Sequence, residues 1–158
     1  DLGDFKNGYA FIKYKNMTSA GVKGSDGSGT FVDADIPLYR LADVYLMYAE
    51  ATLRGGNGSL STALGYINAL KTRAGAATIS SGDLTLNFIL DERSRELSWE
   101  FTRRTDLIRF GLFTSSTYLW PWKGGVKDGK GVEDFRNLFP IPANDIVANR
   151  NLVQNPGY

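Results

Sequence analysis

The stretch that decides the fold of this chain is DERSRELSWE at residues 91–100, followed by RRTDLIRFG at residues 103–111. It places acids and arginines at helical spacing around a few large apolar residues. All of its basic residues are arginines, whose planar guanidinium suits bidentate pairing with buried carboxylates. We therefore predict a structural network of ion pairs. Arg95 and Arg103 should each pair with Glu92, Glu96 or Glu100, and Asp106 should pair with an arginine of this stretch.

Apolar periodicity and end signals predict four helices in and around this stretch. The first helix is predicted over residues 37–54, with Pro37 in its first turn and two glycines after its end. The second is predicted over 61–74 behind a Ser or Thr cap, and the third from a cap at Thr85 to Phe101. A short fourth helix over 104–110 ends at Gly111.

The helices divide into predicted buried and polar faces. For the first helix, we expect one buried side, with a narrow polar stripe opposite that holds Arg40, Met47 and Glu50. For the third helix, we expect an apolar stripe of leucines that ends at Phe101. The predicted buried residues are Leu38, Leu41, Val44, Tyr45, Tyr48 and Ala49 in the first helix, and Leu86, Leu90, Leu97 and Phe101 in the third.

The remaining segments are predicted to be mostly irregular. Residues 8–16 are rich in aromatic and β-branched side chains and predict a short strand. Residues 114–137 form a long loop, and the tail after Leu138 is rich in turn residues. The predicted fold class is mostly α, with tetratricopeptide-like helical hairpins, long irregular loops and little strand. One such hairpin cannot bury both of its faces, so we expect the chain to belong to a larger structure.

Composition excludes several classes of function. The chain has 158 residues, a net charge of +1, and neither His nor Cys. Without those residues there is no thiol nucleophile, no Ser-His-Asp triad and no Cys/His zinc site. A net charge near zero without long basic runs argues against nucleic-acid binding. No apolar run reaches the roughly 18 residues of a membrane helix. We expect no metal and no cofactor, and any catalytic chemistry would have to use carboxylate, Lys, Tyr or Ser side chains.

Two groups of residues are candidates for a functional site. Glu92, Glu96 and Glu100 share one side of a helix and could form the acid pair of a glycosidase. The neighbouring arginines lower carboxylate pKa values, which is the wrong direction for a general acid, so we favour a structural role. The second group lies in the long loop, where aromatic rings could stack on sugar faces or instead pin the loop in place. The predicted ligand-binding residues are Tyr118, Trp120, Trp122 and Lys123.

Four segments, taken in order, resemble the C-terminal part of the SusD/RagB family. They are DIPLYRLADVYLMYAEA (35–51), ALGYINALKTRAG (63–75), LDERSRELSWEFTRRTDLIRFG (90–111) and LFPIPANDIVANRNLVQNPGY (138–158). The resemblance extends from Tyr9 to Tyr158. This chain departs from the family at Phe101, where many members have glycine.

The resemblance implies a non-catalytic protein that binds oligosaccharides or another nutrient, such as a peptide, at the cell surface. Family members deliver their ligand to a SusC-like TonB-dependent transporter in the outer membrane. They are held at the membrane by an N-terminal lipid, which this chain lacks, so residues 1–158 are expected to be the C-terminal portion of a longer domain. A tetratricopeptide-like protein-interaction module and, less favoured, a carboxylate-dependent glycoside hydrolase are the alternatives.

Overall fold

The computed structural model describes residues 12–158 and divides into two compact units, the first ending at Glu100 and the second running from Phe101 to Tyr158. The predicted fold class is confirmed, because the regular structure is helical. Within the described residues the only β-pairing is an isolated antiparallel bridge between Met17 and Lys23. The helices are α1 (Leu41–Leu53), α2 (Leu60–Arg73), α3 (Leu86–Glu96), α4 (Arg103–Arg109) and α5 (Ala143–Ala148).

The first unit is built on the hairpin of α1 and α2, with α3 packed against α1. Both predicted caps are present: the Ser59 hydroxyl accepts from the backbone N–H of Thr62 at 3.3 Å, and Thr85 accepts from Phe88 at 3.1 Å. These bonds satisfy N–H groups that have no partner inside the helix. The Tyr48 hydroxyl accepts from the backbone N–H of Ser59 at 2.9 Å, which ties the hairpin turn to α1.

The core of the first unit lies between these helices. Small alanines on α1 and α2 let the two backbones approach closely, and larger side chains from all three helices fill the remaining space. The rings of Tyr45 and Tyr66 stack in parallel with their centroids 4.2 Å apart. The buried core residues are Ala42, Leu46, Ala49, Ala63, Ile67, Leu70, Leu84, Ile89 and Leu97.

For α1, the predicted start is wrong and the predicted buried face is correct only in part. The helix begins at Leu41 and not at Pro37, because Arg40 has an extended backbone with φ of −146°. Its buried face is as predicted only in part. Ala49 is buried, and Tyr45 and Tyr48 pack against the core, but Ala42 and Leu46 complete the face instead of Leu38, Leu41 and Val44. Apolar residues surround most of this helix, so periodicity could not select the side on which alanines permit close packing. The predicted buried residues that are in fact exposed are Leu38, Leu41 and Val44, and they continue into Met47.

The predicted end of α3 is also wrong. The helix ends at Glu96, and Phe101 is 86% exposed instead of buried. Trp99 and Phe101 have left-handed backbones, with φ of 64° and 61°, which a continuing helix cannot contain. Of the predicted strand, residues 8–11 lie outside the described residues. Residues 12–16 form a turn closed by a hydrogen bond from Lys15 N–H to the Ile12 carbonyl at 3.1 Å, so that part of the prediction is wrong.

The second unit consists mainly of loops. After α4 the chain turns at Gly111, whose φ is +71°, and enters a long segment with 3-10 turns at Lys123–Gly125 and Asp134–Asn137. Helix α5 was not predicted, since its six residues lack a readable period. The Gln154 side chain bonds both the N–H and the carbonyl of Ile141, at 2.8 and 2.9 Å, and so fastens the tail.

A search of the described residues for a helix of sufficient length and apolarity to cross a bilayer finds none.

Candidate ligand-binding site

Lys123 organises the long loop of the second unit. Its side-chain ammonium donates to the carbonyls of Leu112, Ser115 and Tyr118, at 3.3, 2.5 and 2.6 Å. The residue is only 3% exposed, and this burial lowers the pKa of its ammonium. An ammonium has three donors, so all of them are used by the backbone. We call this arrangement the lysine cage: Lys123 with the three carbonyls that it bonds.

Trp120 lies directly against the lysine cage. The Lys123 ammonium is 4.6 Å from the centroid of the indole ring, within the range of a cation–π interaction. Phe113 and Tyr118 flank the same ring, with centroids at 6.3 and 6.4 Å. Trp120 also borders a cavity of about 720 Å³ in the second unit. Its orientation is therefore fixed by neighbours while part of it faces open space.

Tyr118 is engaged on both its polar and its aromatic surfaces. Its hydroxyl accepts from the Arg103 guanidinium, which also lies 5.7 Å from the ring centroid. Its carbonyl belongs to the lysine cage. Tyr118 therefore connects α4 to the loop, which is a positioning role.

Trp122 differs from its neighbours in the loop. It is 51% exposed and makes no ring–ring contact with the aromatics of residues 12–158. Its φ of +70° lies in the left-handed region, which is uncommon for a bulky residue and is held here by surrounding structure. Its N–H donates to the Lys127 carbonyl at 3.2 Å, and its own carbonyl accepts from Gly125 at 3.0 Å. The structure thus brings Tyr118, Trp120 and Lys123 together and presents Trp122 separately to solvent.

Sequence reasoning missed the other side chains around the cavity. They include Phe113, Lys130, Glu133 and Arg136. A usable signal was the spacing of glycines, because they allow the loop to fold closely onto itself. A Cβ at Gly129 would lie 2.5 Å from the Trp120 carbonyl, a distance that real side chains do not reach.

The predicted ion-pair network is present, with partners both inside and outside the stretch. Arg95 pairs with Glu92 at 2.6 Å, and Arg109 pairs with Asp106 at 2.8 Å, as predicted. Arg93 is buried and pairs with Asp43 of α1 at 2.7 Å.

Glu96 and Glu100 take their partners from distant parts of the chain. Arg40 bonds both carboxylates, with its Nε 2.7 Å from Glu100. Lys13 adds a second cation to Glu100, and Arg73 adds one to Glu96 at 2.6 Å. Sequence spacing gave no signal for these partners.

The ion pairs shift the pKa values of two members of the network, Glu100 and Arg40. Burial by itself raises the pKa of Glu100, but hydrogen bonds and charge from Arg40 and Lys13 outweigh it and hold the pKa below its usual value. Burial likewise lowers the pKa of Arg40, and its bonds to Glu100 and Glu96 reverse that effect and raise it. A general acid needs a raised carboxyl pKa. The lowered pKa of Glu100 therefore fits a structural ion pair and not a general acid.

Metal ligands do not converge in the described part of the chain: among residues 12–158, no group of three Asp or Glu side chains is arranged to hold an ion.

Comparison with known proteins gives consistent results. A family model described as "SusD family" matches residues 3–158. The starch-binding protein SusD of Bacteroides thetaiotaomicron is 43% identical over 99% of this chain and 27% of its own length. SusD-like protein P2 of Formosa agariphila is 34% identical over 88% of this chain and 28% of its own length. The chain thus spans little more than a quarter of these two relatives.

Solved structures agree in fold. A SusD superfamily protein from Bacteroides vulgatus superposes with a TM-score of 0.65 and 30% identity, over 87% of this chain and 31% of that one. A SusD-like protein from Bacteroides fragilis gives a TM-score of 0.56 and 26% identity over 77% of this chain.

Proposed function

Because the chain belongs to the SusD family, we propose that it forms part of a protein that binds oligosaccharides without altering them chemically. The observation that carries this proposal is the 43% identity, over 99% of the chain, to a protein named for starch binding. The chain spans only 27% of that relative, so the proposal concerns what this part contributes to a longer protein.

We assign the saccharide-binding site to Tyr118, Trp120, Trp122 and Lys123, with the two tryptophans as the contact surfaces. Trp120 supports this assignment because it borders the cavity with a fixed orientation, and Trp122 because half of its surface is open. An indole offers a large, stiff contact surface at little cost in rotamer freedom. Tyr118 and Lys123 contribute by holding the loop in which both tryptophans lie.

A non-catalytic role is supported by the state of the carboxylates. Glu92, Glu96 and Glu100 are all bound by cations, and the pKa of Glu100 is lowered. A glycoside hydrolase needs one carboxyl that stays protonated near neutral pH. The hydrolase alternative therefore has no supporting observation in this cluster.

The test is to titrate the chain with a linear maltooligosaccharide and to measure the dissociation constant by calorimetry and by tryptophan fluorescence. We expect modest affinity, weakened about tenfold in Trp120→Ala or Trp122→Ala, an amount equal to about 1.4 kcal/mol. Trp99→Ala is the matched control, since this tryptophan is 67% exposed and lies outside the loop. Chromatography of the incubated sugar should show the starting chain length unchanged.

Two outcomes would contradict the assignment. If both loop variants bind as the parent does and only melt at lower temperature, the rings are structural. If the sugar is shortened during incubation, the non-catalytic proposal fails.

We also propose that the complete protein is lipid-anchored at the outer-membrane surface and hands its ligand to a SusC-like TonB-dependent transporter. The support is the family resemblance and the binding role proposed above. Deleting the transporter gene from the source cell should abolish uptake of a labelled oligosaccharide and leave surface binding intact. Loss of binding together with uptake would argue against separate binding and transport steps.

One feature keeps the interaction-module alternative open, namely the exposed apolar face of α1. Leu41, Val44 and Met47 are 61%, 48% and 48% exposed, although helical faces of this kind are usually covered. We propose that residues 1–158 are the C-terminal portion of a SusD/RagB-like domain whose remaining part covers this face. Val44→Glu should destabilise the full-length protein strongly and the isolated chain little. Equal effects in both would favour a face that binds another protein.

A further inference from the structure

The cavity beside Trp120 has an unbalanced set of charges. Three cations line it, Lys123, Lys130 and Arg136, against one carboxylate, Glu133. Its volume of about 720 Å³ falls in the range of small-molecule sites. The cavity is built entirely from residues of the second unit.

The three cations are not equivalent. Lys123 is buried, and the lysine cage uses all of its donors. Lys130 and Arg136 are exposed, and neither forms an ion pair with any carboxylate of residues 12–158. The Arg136 guanidinium lies 5.1 Å from the Phe135 ring centroid, a contact that leaves its N–H donors available. Two cationic groups therefore face this cavity with donors that the described protein does not use.

The arginines of the first unit differ from these two cations. In the first unit, Arg40, Arg73, Arg93 and Arg95 each bond a carboxylate at 2.7 Å or less. Cations left unpaired beside a cavity attract an anion and raise its local concentration. A guanidinium also matches the two oxygens of a carboxylate or a sulfate ester with parallel hydrogen bonds.

We propose that this cavity binds an acidic saccharide, one whose sugar unit carries a carboxylate or a sulfate ester. The sugar ring packs against Trp120, while Arg136 and Lys130 bind the anionic substituent. This inference rests on the proposed saccharide-binding function and narrows its ligand class. Glu133, at the same cavity, disfavours a second negative charge and so limits the charge density of the ligand.

The experiment compares linear oligosaccharides of equal length that are neutral, uronic-acid-based or sulfated. Calorimetry on the chain should show the better of the two acidic ligands binding about tenfold more tightly than the neutral one at low ionic strength, as expected for charge-assisted bonds. The advantage should shrink at high ionic strength because salt screens exposed charges. Comparing the uronic-acid-based and the sulfated oligosaccharide identifies which anionic group the cavity binds more tightly.

Three variants test the assigned residues. Lys130→Gln with Arg136→Gln should remove the advantage of the acidic ligand and leave neutral binding unchanged. Lys127→Gln, an exposed lysine outside the cavity lining, should have no effect. Glu133→Gln should tighten acidic binding by roughly twofold to threefold, since it removes a like charge.

The outcomes separate this inference from the function on which it rests. Neutral binding without any gain for acidic ligands overturns the inference and leaves saccharide binding intact. An acidic preference that survives the double substitution also overturns it. Failure to bind any of the three ligands counts against the proposed function itself.

Discussion

The two units of this protein are stabilised in different ways. In the first unit, helices α1, α2 and α3 enclose an apolar core in which Leu46, Ile67 and Ile89 have no exposed surface. In the second unit, Leu107 is the one buried apolar residue among those described, while Asp106, Thr114 and Lys123 are buried polar groups. The first unit combines this apolar packing with buried ion pairs, whereas the second depends mainly on polar side chains bonded to carbonyls or to one another.

This difference decides what each unit can tolerate. Apolar packing is non-directional and is lost in proportion to the volume removed. Hydrogen bonds to carbonyls are directional, and losing the donor leaves several acceptors unsatisfied at once. A single substitution should therefore cost most in the first unit when it removes volume, and in the second when it removes a donor.

The largest effect is expected from Leu46→Ala in the core of α1. Removing a side chain with no exposed surface should cost about 2–5 kcal/mol of unfolding free energy through lost transfer energy and a residual cavity. Urea unfolding followed by helical circular dichroism measures this. Met47→Ala, at a residue 48% exposed, is the neighbouring control and should cost under about 0.5 kcal/mol. Equal costs would contradict an apolar core on this side of α1.

Lys123→Met should be next in size. It preserves most of the side-chain volume but leaves the carbonyls of Leu112, Ser115 and Tyr118 without this donor. We expect a loss of about 2–3 kcal/mol, seen best in the fluorescence of Trp120, which contacts the ammonium. Lys127→Met, at an exposed lysine, provides the matched control. If the two variants unfold alike, the second unit does not depend on the lysine cage.

A smaller, pH-dependent effect is expected from Glu100→Gln. The carboxylate has two cationic partners that are themselves 21% and 29% exposed, so the loss should lie near 1–2 kcal/mol, between exposed and buried pairs. Because the pKa of Glu100 in the folded state lies below its ordinary value of 4.5, its contribution is present above that pH and is lost as pH falls through the folded value. The unfolding free energies of the parent and the variant should therefore become equal in acid.

Urea midpoints measured at neutral pH and well below pH 4.5 give this comparison directly. Glu133→Gln, whose carboxylate has no ion pair with residues 12–158, should show no such convergence. If the difference in urea midpoint between the parent and Glu100→Gln grows in acid, the folded state does not lower the pKa of Glu100 and the prediction is wrong.

The smallest effect concerns backbone strain at Phe101. A φ of +61° costs a residue with a side chain about 1–2 kcal/mol. Glycine avoids this strain but loses more backbone entropy on folding, which offsets part of the gain. Phe101→Gly should therefore be more stable than Phe101→Ala by about 0.5–1 kcal/mol, as measured by thermal unfolding. Phe139 is also exposed but does not have a positive φ, so the same pair of substitutions there should rank in the opposite order.

The comparison also explains which features the sequence could predict. Helices α2 and α4 and the caps at Ser59 and Thr85 follow from local periodicity and cap chemistry, and the structure confirms them within a residue or two. The pairs Arg95–Glu92 and Arg109–Asp106 were predictable because helical spacing brings their members together. The buried side of α1 was predictable only in part, because apolar residues occupy nearly its whole circumference.

Long-range contacts lay beyond sequence reasoning. Nothing in the order of residues indicates that Arg40 bridges Glu96 and Glu100, or that Lys130 and Arg136 approach the same cavity as Trp120. These contacts depend on the path of the loops in the folded chain. That path includes close contacts between backbone segments, such as the one between Gly129 and the Trp120 carbonyl. Tyr118, Trp120, Trp122 and Lys123 remain the predicted ligand-binding residues, and the titrations above test this prediction.

Lys123 finally offers a chemical probe of the second unit. The Lys123 ammonium donates all three hydrogens to carbonyls, so an acylating reagent cannot reach a free amine until the loop opens. Trypsin likewise cannot cleave after Lys123 while the loop is closed. Lys127 and Lys130 lie nearby, are exposed and should be modified first. The rate at which Lys123 becomes acylated, measured by mass spectrometry of partially labelled protein, would therefore report how often this loop opens. Protection of Lys123 that rises when a saccharide is added would show that ligand binding and loop closure are linked.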